Sequence, residues 1–302
     1  MWFKNLRIYR LGTRLDANGE ELENLLQQKL FQPCGKLDPV KYGWTSPLGR
    51  KGKSLFHSSL NSTLLCAKRQ EKVLPSAAVN EALENKIFAI REEEGRPVGR
   101  KERMALKEDI VFTLLPQALT KTSFDFGYLS PSAGFIVINA SSSSKAESFL
   151  NLLRESLGNL KVTPLQTHHP ITPVLSNWVK QSQVPPNFEF GENCEFRADK
   201  DERVIRFRKQ DLSAAELKQH LDSGMHVKRL SLSWRESIEF TIDDEFAIKA
   251  VKYSDKLLEQ LDDIDTDNAA AVFDSEFCLM VTELNALIAE LLDAFGGESE
   301  TF

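Results

Sequence analysis

The chain has 302 residues, 41% of them hydrophobic and 27% charged, which excludes collagen-like, mucin-like and disordered classes and leaves room for two domains with a core that needs no covalent staples. The net charge of −6 is unevenly spread: residues 243–302 carry 16 Asp and Glu against 3 Lys, while the rest of the chain is net positive. Such an asymmetry points to an anion-binding body with an acidic end, or to a solubilising tail on a body indifferent to anions.

Residues 2–11 interleave Phe3, Leu6 and Ile8 with Lys4, Arg7 and Arg10, which predicts a strand. A helix is predicted over 16–30, with Leu22, Leu25, Leu26 and Leu30 on one stripe and Asp16 as its cap. Pro33-Cys34-Gly35 interrupts the chain, and 47–53 is a glycine-rich basic loop. After a strand over 62–68, Pro75 opens a helix running to Glu94. A second helix spans 100–115 and stops at Pro116. The pair reads as a helical hairpin inserted between sheet elements. Strands over 128–129 and 135–139 flank Pro131-Ser132-Ala133-Gly134, and a helix over 145–157 follows serines that can cap it.

Residues 164–173 hold three prolines and little periodicity, so the expected division is 1–165 and 166–302. The second part is predicted to open with a helix over 174–181. Strands follow over 188–190, 204–208, 228–234, 237–242 and 246–251, with a helix over 212–221. The clearest element comes last, a helix with Phe273, Phe277, Met280, Val281, Leu284, Leu287, Ile288, Leu291 and Leu292 on one face, ended by Gly296-Gly297. The expected class is α+β, two α/β halves with a helical insertion.

Four cysteines, Cys34, Cys66, Cys194 and Cys278, are far apart in sequence, as expected of reduced thiols in a cytosolic protein. The N-terminus has no apolar leader core, and no run is long enough to span a bilayer. A soluble, cytoplasmic protein with no membrane partner is expected.

Signatures of catalysis are missing: no Walker loop, no G-x-G-x-x-G, no G-x-S-x-G and no H-E-x-x-H. No catalytic, cofactor or metal residue is assigned, and the expectation is that the chain is not an enzyme. His168-His169 sits before Pro170 and reads as a surface loop rather than a metal site. Asp263, Asp265 and Asp267 have calcium-loop spacing, but Asn268 replaces the turn glycine and Asp274 the long terminal Glu. Cys34 has only Lys36 as a basic neighbour in sequence.

Cations cluster three times. Residues 96–107 hold Arg96, Arg100, Lys101, Arg103 and Lys107 against Glu102, and Arg100, Arg103 and Lys107 share a helix face. A second group is Arg197, Lys200, Arg203, Arg206, Arg208 and Lys209, with Arg206 and Arg208 on one side of a strand and Ile205 and Phe207 on the other. A third is Arg50, Lys51 and Lys53. Each is either a solvated face or a row of phosphate contacts. No helix-turn-helix, zinc module or RNA-binding sheet motif accompanies them, so any nucleic-acid contact would be mainly to the backbone.

Several fragments in order resemble the RdgC family of bacterial recombination-associated proteins. They are Trp2-Phe3-Lys4-Asn5-Leu6, Phe31-x-Pro33-Cys34-Gly35, Gly43-Trp44, Glu71-Lys72-Val73-Leu74-Pro75, Leu114-Leu115-Pro116, Lys209-Gln210-Asp211-Leu212 and the stretch from Phe273-Asp274 to Glu283-Leu284. The resemblance covers nearly the whole chain. It implies a ring-shaped homodimer with DNA in a positively lined hole, binding without sequence preference, antagonism of RecA-driven strand exchange, and a nucleoid location. It places a helical finger over about 71–119 with Arg96, Arg100 and Lys101 as its basic residues, and an inward pair at Arg208 and Lys209. Gln117 and Leu119 fall at its finger tip, where relatives carry a basic and an aromatic residue. The acidic end is expected to face away from DNA. Two other readings stay open: a protein–protein regulator of a recombination enzyme acting through the acidic half, and a metal nuclease using Asp262, Asp263, Asp265 or Asp267.

Overall fold

A single antiparallel sheet organises the chain. The computed structural model describes residues 1–12, 19–198, 203–212, 214–261 and 268–299. In chain order the elements are β1 (Leu6–Leu11), α1 (Gly19–Gln27), β2 (Val40–Thr45), β3 (Phe56–Ser59), β4 (Ser62–Val73), α2 (Ser76–Glu94), α3 (Arg100–Leu114), β5 (Leu119–Ser130), β6 (Phe135–Asn139), α4 (Ser143–Leu157), β7 (Val162–Pro164), α5 (Ile171–Gln181), β8 (Phe188–Ala198), β9 (Val204–Arg208), α6 (Ala215–Asp222), β10 (Met225–Trp234), β11 (Ile238–Asp243), β12 (Ile248–Tyr253), α7 (Asp255–Leu258) and α8 (Ala269–Ala294). The strands lie in the order β2-β4-β5-β6-β1-β12-β11-β10-β8-β9, with β3 beside β4 and β7 beside β1. The α+β class read from the sequence holds.

Burial explains the strand patterns. The unbroken apolar run of β6 is covered on both faces: Phe135 and Val137 join the larger core, Ile136 and Ile138 a second core with α1 and α4. In the later strands only one face is covered. On β10, Leu230, Leu232 and Trp234 are in the large core, whereas Arg229 is exposed and Ser233 half-buried on the other side. This leaves the sheet formed by β8 to β12 with an open, charged face.

Helix α8 closes the covered face. Its side chains Phe277, Met280, Val281, Leu284, Leu287, Ile288 and Leu291 are all buried, at the spacing of a single helical stripe. They meet residues from both parts of the chain, including Phe3, Leu64 and Tyr128 from the first and Leu230, Phe240 and Ile248 from the second. The Tyr128 hydroxyl donates to Asn285 Oδ1 at 2.9 Å, and the Trp234 indole N–H donates to Glu290 at 2.8 Å. Segment 164–173 carries the end of β7, paired with β1, and the start of α5, and the sheet and large core continue across it.

Several boundaries move for local reasons. β1 begins at Leu6 and not at residue 2, because the Asn139 side chain accepts from the backbone N–H groups of Lys4 and Asn5 and Phe3 turns under α8, its N–H against Met280 Sδ at 3.3 Å. α1 ends at Gln27 rather than 30, and Leu30 instead bridges to Trp44. Asp16, expected as its cap, lies outside the described residues. At the adjacent Gly43 a Cβ would come within 2.7 Å of the Phe31 backbone, so this crossing needs glycine. β4 and β5 run five residues further than their apolar cores, pairing Lys68–Lys72 with Thr120–Phe124 to form a polar stalk. The stalk carries α2 and α3, which share a small core of Val79, Leu83, Ile87 and Ile110.

Because α8 joins both parts of the chain in one core, Leu284→Ala should cost about 2–5 kcal/mol in a single urea transition. Near-ultraviolet ellipticity and tryptophan fluorescence should move together. Two separated transitions would mean that the parts unfold independently.

Candidate nucleic-acid interface

The open face of the second part of the sheet holds the densest group of surface arginines. Strand β9 is the sheet's edge and alternates as expected. Ile205 and Phe207 turn inward, Phe207 packing on Phe196 and His220 at 5.7 and 5.6 Å between ring centres. Arg206 and Arg208 point outward. The register β9-β8-β10 then sets Arg206 opposite Glu195 and Glu195 opposite Arg229. Glu195 Oε2 accepts from Arg206 Nε at 2.7 Å and from Arg229 Nη1 at 3.5 Å. Arg208, across from Asn193, makes no ion pair with any described residue, and neither does Lys209, which leaves the strand with φ of 53°. A shallow cleft of about 250 Å³ lies here, lined by Asn193, Glu195, Arg206, Arg208, Arg229 and Thr241.

Further along the same face the cations are matched one to one. Lys249 binds Asp243 at 2.6 Å and Lys252 binds Glu239 at 3.0 Å. At the β9 edge, by contrast, Arg206 and Arg229 share the Glu195 carboxylate, and Arg208 and Lys209 have no ion-pair partner among the described residues.

The helical hairpin divides its cations differently. Arg96 grips Glu102 with two bonds at 2.8 and 2.7 Å and Glu94 with a third at 2.6 Å, a bidentate geometry that holds the Glu102 carboxyl below its usual range. Arg103 is bonded to Glu84 on α2. The expected row of Arg100, Arg103 and Lys107 is thus interrupted at its middle, and Arg100, Lys101 and Lys107 remain exposed and without a partner among the described residues. Arg100 and Lys101 occupy the first turn of α3, where the helix dipole disfavours cations, so stability does not explain them.

Gln117 and Leu119 require a correction. The free turn of the hairpin is residues 95–99, whereas Gln117 ends the short 3-10 turn after α3 and Leu119 opens β5, opposite Val73. Both lie at the base of the hairpin and not at its tip. Leu119 is nonetheless 82% exposed, and Phe88, Met104, Phe112 and Phe124 on the hairpin and stalk are at least half exposed.

Within one chain the two cation groups are not brought together. The stalk strands β4 and β5 lie near one end of the strand order and β9 at the other, separated by roughly 34–38 Å counted along the sheet at about 4.8 Å per strand. Lys200 and Asp262, Asp263, Asp265 and Asp267 lie outside the described residues. Asn268 caps α8, accepting from Ala270 and Ala271. The His168 and His169 backbones bind Gly297 and Phe295, and among the described residues no group of three or more His, Cys, Asp or Glu could hold a metal. No helix of the described residues is long and apolar enough to cross a membrane.

A family model described as "Putative exonuclease, RdgC" matches residues 1–298. The chain belongs to the RdgC family. Three relatives named recombination-associated protein RdgC are similar to it along their full length. Those of Aeromonas hydrophila and Psychromonas ingrahamii are each 39% identical, over 100% and 99% of both chains. That of Proteus mirabilis is 37% identical over 99% of this chain and 100% of its own. The resemblance in the sequence fragments is therefore a membership. Arg229, Glu195 and Asn193 were missed in the sequence because only the β8–β10 register assembles them. The alternation of Arg229, Ser231 and Ser233 with Leu230, Leu232 and Trp234 was the available signal.

Behind the cleft, on the core side of β8, a thiol is buried. Burial, with the Glu195 charge adding to it, pushes Cys194 up to about 12, and burial beside Asp125 does the same to Cys66, also to about 12. Both should resist alkylation at pH 8 in the folded chain, while the half-exposed Cys34 and Cys278 react first. Mass spectrometry after timed iodoacetamide treatment checks this. Early labelling of Cys194 would show that the β8–β9 edge opens.

Proposed function

We propose that this RdgC-family chain is a DNA-binding protein without sequence preference that acts in recombination by occupying duplex DNA and so limits RecA-driven strand exchange, with no catalytic step. The observation that carries the reading is the β9 edge, where Arg206 and Arg229 share one carboxylate and Arg208 and Lys209 have no ion-pair partner among the described residues, on an open sheet face. Such a surface recognises phosphates. The names of the relatives support a role in recombination. The acidic helix α8 lies on the opposite face of the sheet, so its carboxylates do not oppose DNA there.

Ring closure is the second part of the reading. Two copies related by a two-fold axis bring the helical finger, α2 and α3, of each chain toward the second half of its partner. The unpaired Arg100, Lys101 and Lys107 then join the β9 edge around one hole. Exposed Phe88, Met104, Phe112 and Leu119 supply an apolar contact for self-association. Phe88→Glu combined with Phe112→Glu should convert dimers to monomers in sedimentation velocity at micromolar concentration. A variant that stays dimeric places the contact elsewhere.

Binding to random duplex should weaken with salt at a log–log slope of about −0.9 per neutralised phosphate. Replacing Arg208 and Lys209 together by Ala should flatten that slope by about 1.8 and lower affinity equally on unrelated sequences. A salt-independent affinity, or loss on one sequence alone, would refute backbone contact. Magnesium-dependent cleavage of plasmid by the purified chain would instead support the nuclease named in the family description. In a strand-exchange assay, excess duplex should relieve inhibition, and persistence of inhibition would favour a regulator that binds the recombination enzyme itself.

A further inference from the structure

We propose that Glu195 is a built-in competitor for phosphate that holds Arg206 and Arg229 in reserve and keeps the β9 edge from gripping DNA too tightly. The inference rests on the DNA-binding reading above and concerns how that same surface is regulated.

Glu195 stands on β8 between the two strands that carry the arginines, its side chain 15% exposed. The arginines are not buried with it: Arg206 is 57% and Arg229 47% exposed. Two surface guanidinium groups thus reach inward to one carboxylate at the floor of the cleft, and both use the same oxygen, Oε2, at 2.7 and 3.5 Å. One carboxylate cannot satisfy two guanidinium forks. The longer contact is weak, and neither arginine makes the paired two-bond contact that Arg96 makes with Glu102. A phosphate group offers more acceptor oxygens and matches the guanidinium fork. It would draw the arginines outward while the carboxylate beneath repels it.

The consequence is a graded surface. Arg208 and Lys209 are available at once. Arg206 and Arg229 engage only when a phosphate displaces Glu195 as their partner. In the free protein these two arginines already have a counter-charge, so the phosphates they reach are bound at a net cost of breaking that contact. A protein that must let go of DNA gains from such a brake.

The test uses the full chain and a fluorescent random-sequence duplex over a salt series. Glu195→Gln keeps the shape and removes the charge. It should tighten binding about three- to tenfold and steepen the salt slope by about 0.9, one further phosphate neutralised. Glu239→Gln, an exposed acid on the same face outside the cleft, should change affinity less than about twofold. In the Glu195→Gln background, replacing Arg206 and Arg229 by Gln should abolish the gain. A gain that survives that replacement means that lost negative charge alone is responsible, and overturns the proposal. Equal or weaker binding by Glu195→Gln, with normal binding by the unmodified chain, also overturns it, because Glu195 would then only position the arginines. Absence of salt-dependent binding by the unmodified chain removes the DNA reading itself. Should Glu195→Gln fail to fold, arginine side-chain NMR of the unmodified chain decides: the Arg206 Nε–H signal should shift when duplex is added, and a signal unchanged at saturation refutes the displacement.

Discussion

The burial of one face of α8 under the sheet is the constraint on which the rest of the structure depends. The helix has seven buried side chains along one stripe, and no single half of the sheet covers them. Phe3 and Tyr128 come from one side and Leu230 and Phe240 from the other. Dispersing this contact would expose apolar surface on both halves at once. The N-terminus is tied into the same arrangement, its amine bonded to Glu276 and the Phe3 carbonyl accepting from Tyr253. Position of the strands, and so of every charged side chain on the opposite face, follows from it.

Covering one face leaves the other to function. Where α1 and α4 cover the second face of the early strands, the side chains there are apolar and the sheet is sealed. Among the described residues strands β8 to β12 have no such cover, and their outward side chains include the polar or charged Asn193, Glu195, Arg206, Arg229, Thr241 and Asp243. Most charges on that face are neutralised in pairs, which contributes little to stability when exposed but keeps the surface nearly neutral. The exception is the β9 edge. An edge strand bearing outward arginines also resists unwanted strand addition. Among the described residues no group of three or more His, Cys, Asp or Glu could hold a metal ion.

Local chemistry in the sequence determined the element types, because periodicity depends only on which face of a helix or strand meets apolar neighbours. The apolar spacing of α2 and of α8 and the alternation in β9 were all legible there. So were the cations at Arg100, Lys101, Arg208 and Lys209. The family fragments around Gly43 and Phe273 were equally readable, and the first has a steric reason in the close crossing of Phe31. What only the tertiary structure decided was which charges are free. Arg96 and Arg103 are spent on Glu102, Glu94 and Glu84, Arg206 and Arg229 converge on Glu195, and Gln117 and Leu119 sit at the base of the helical hairpin. Pairing of this kind joins residues tens of positions apart through strand register and helix packing, and a linear pattern carries no information about which distant acid will lie within 3 Å of a given arginine.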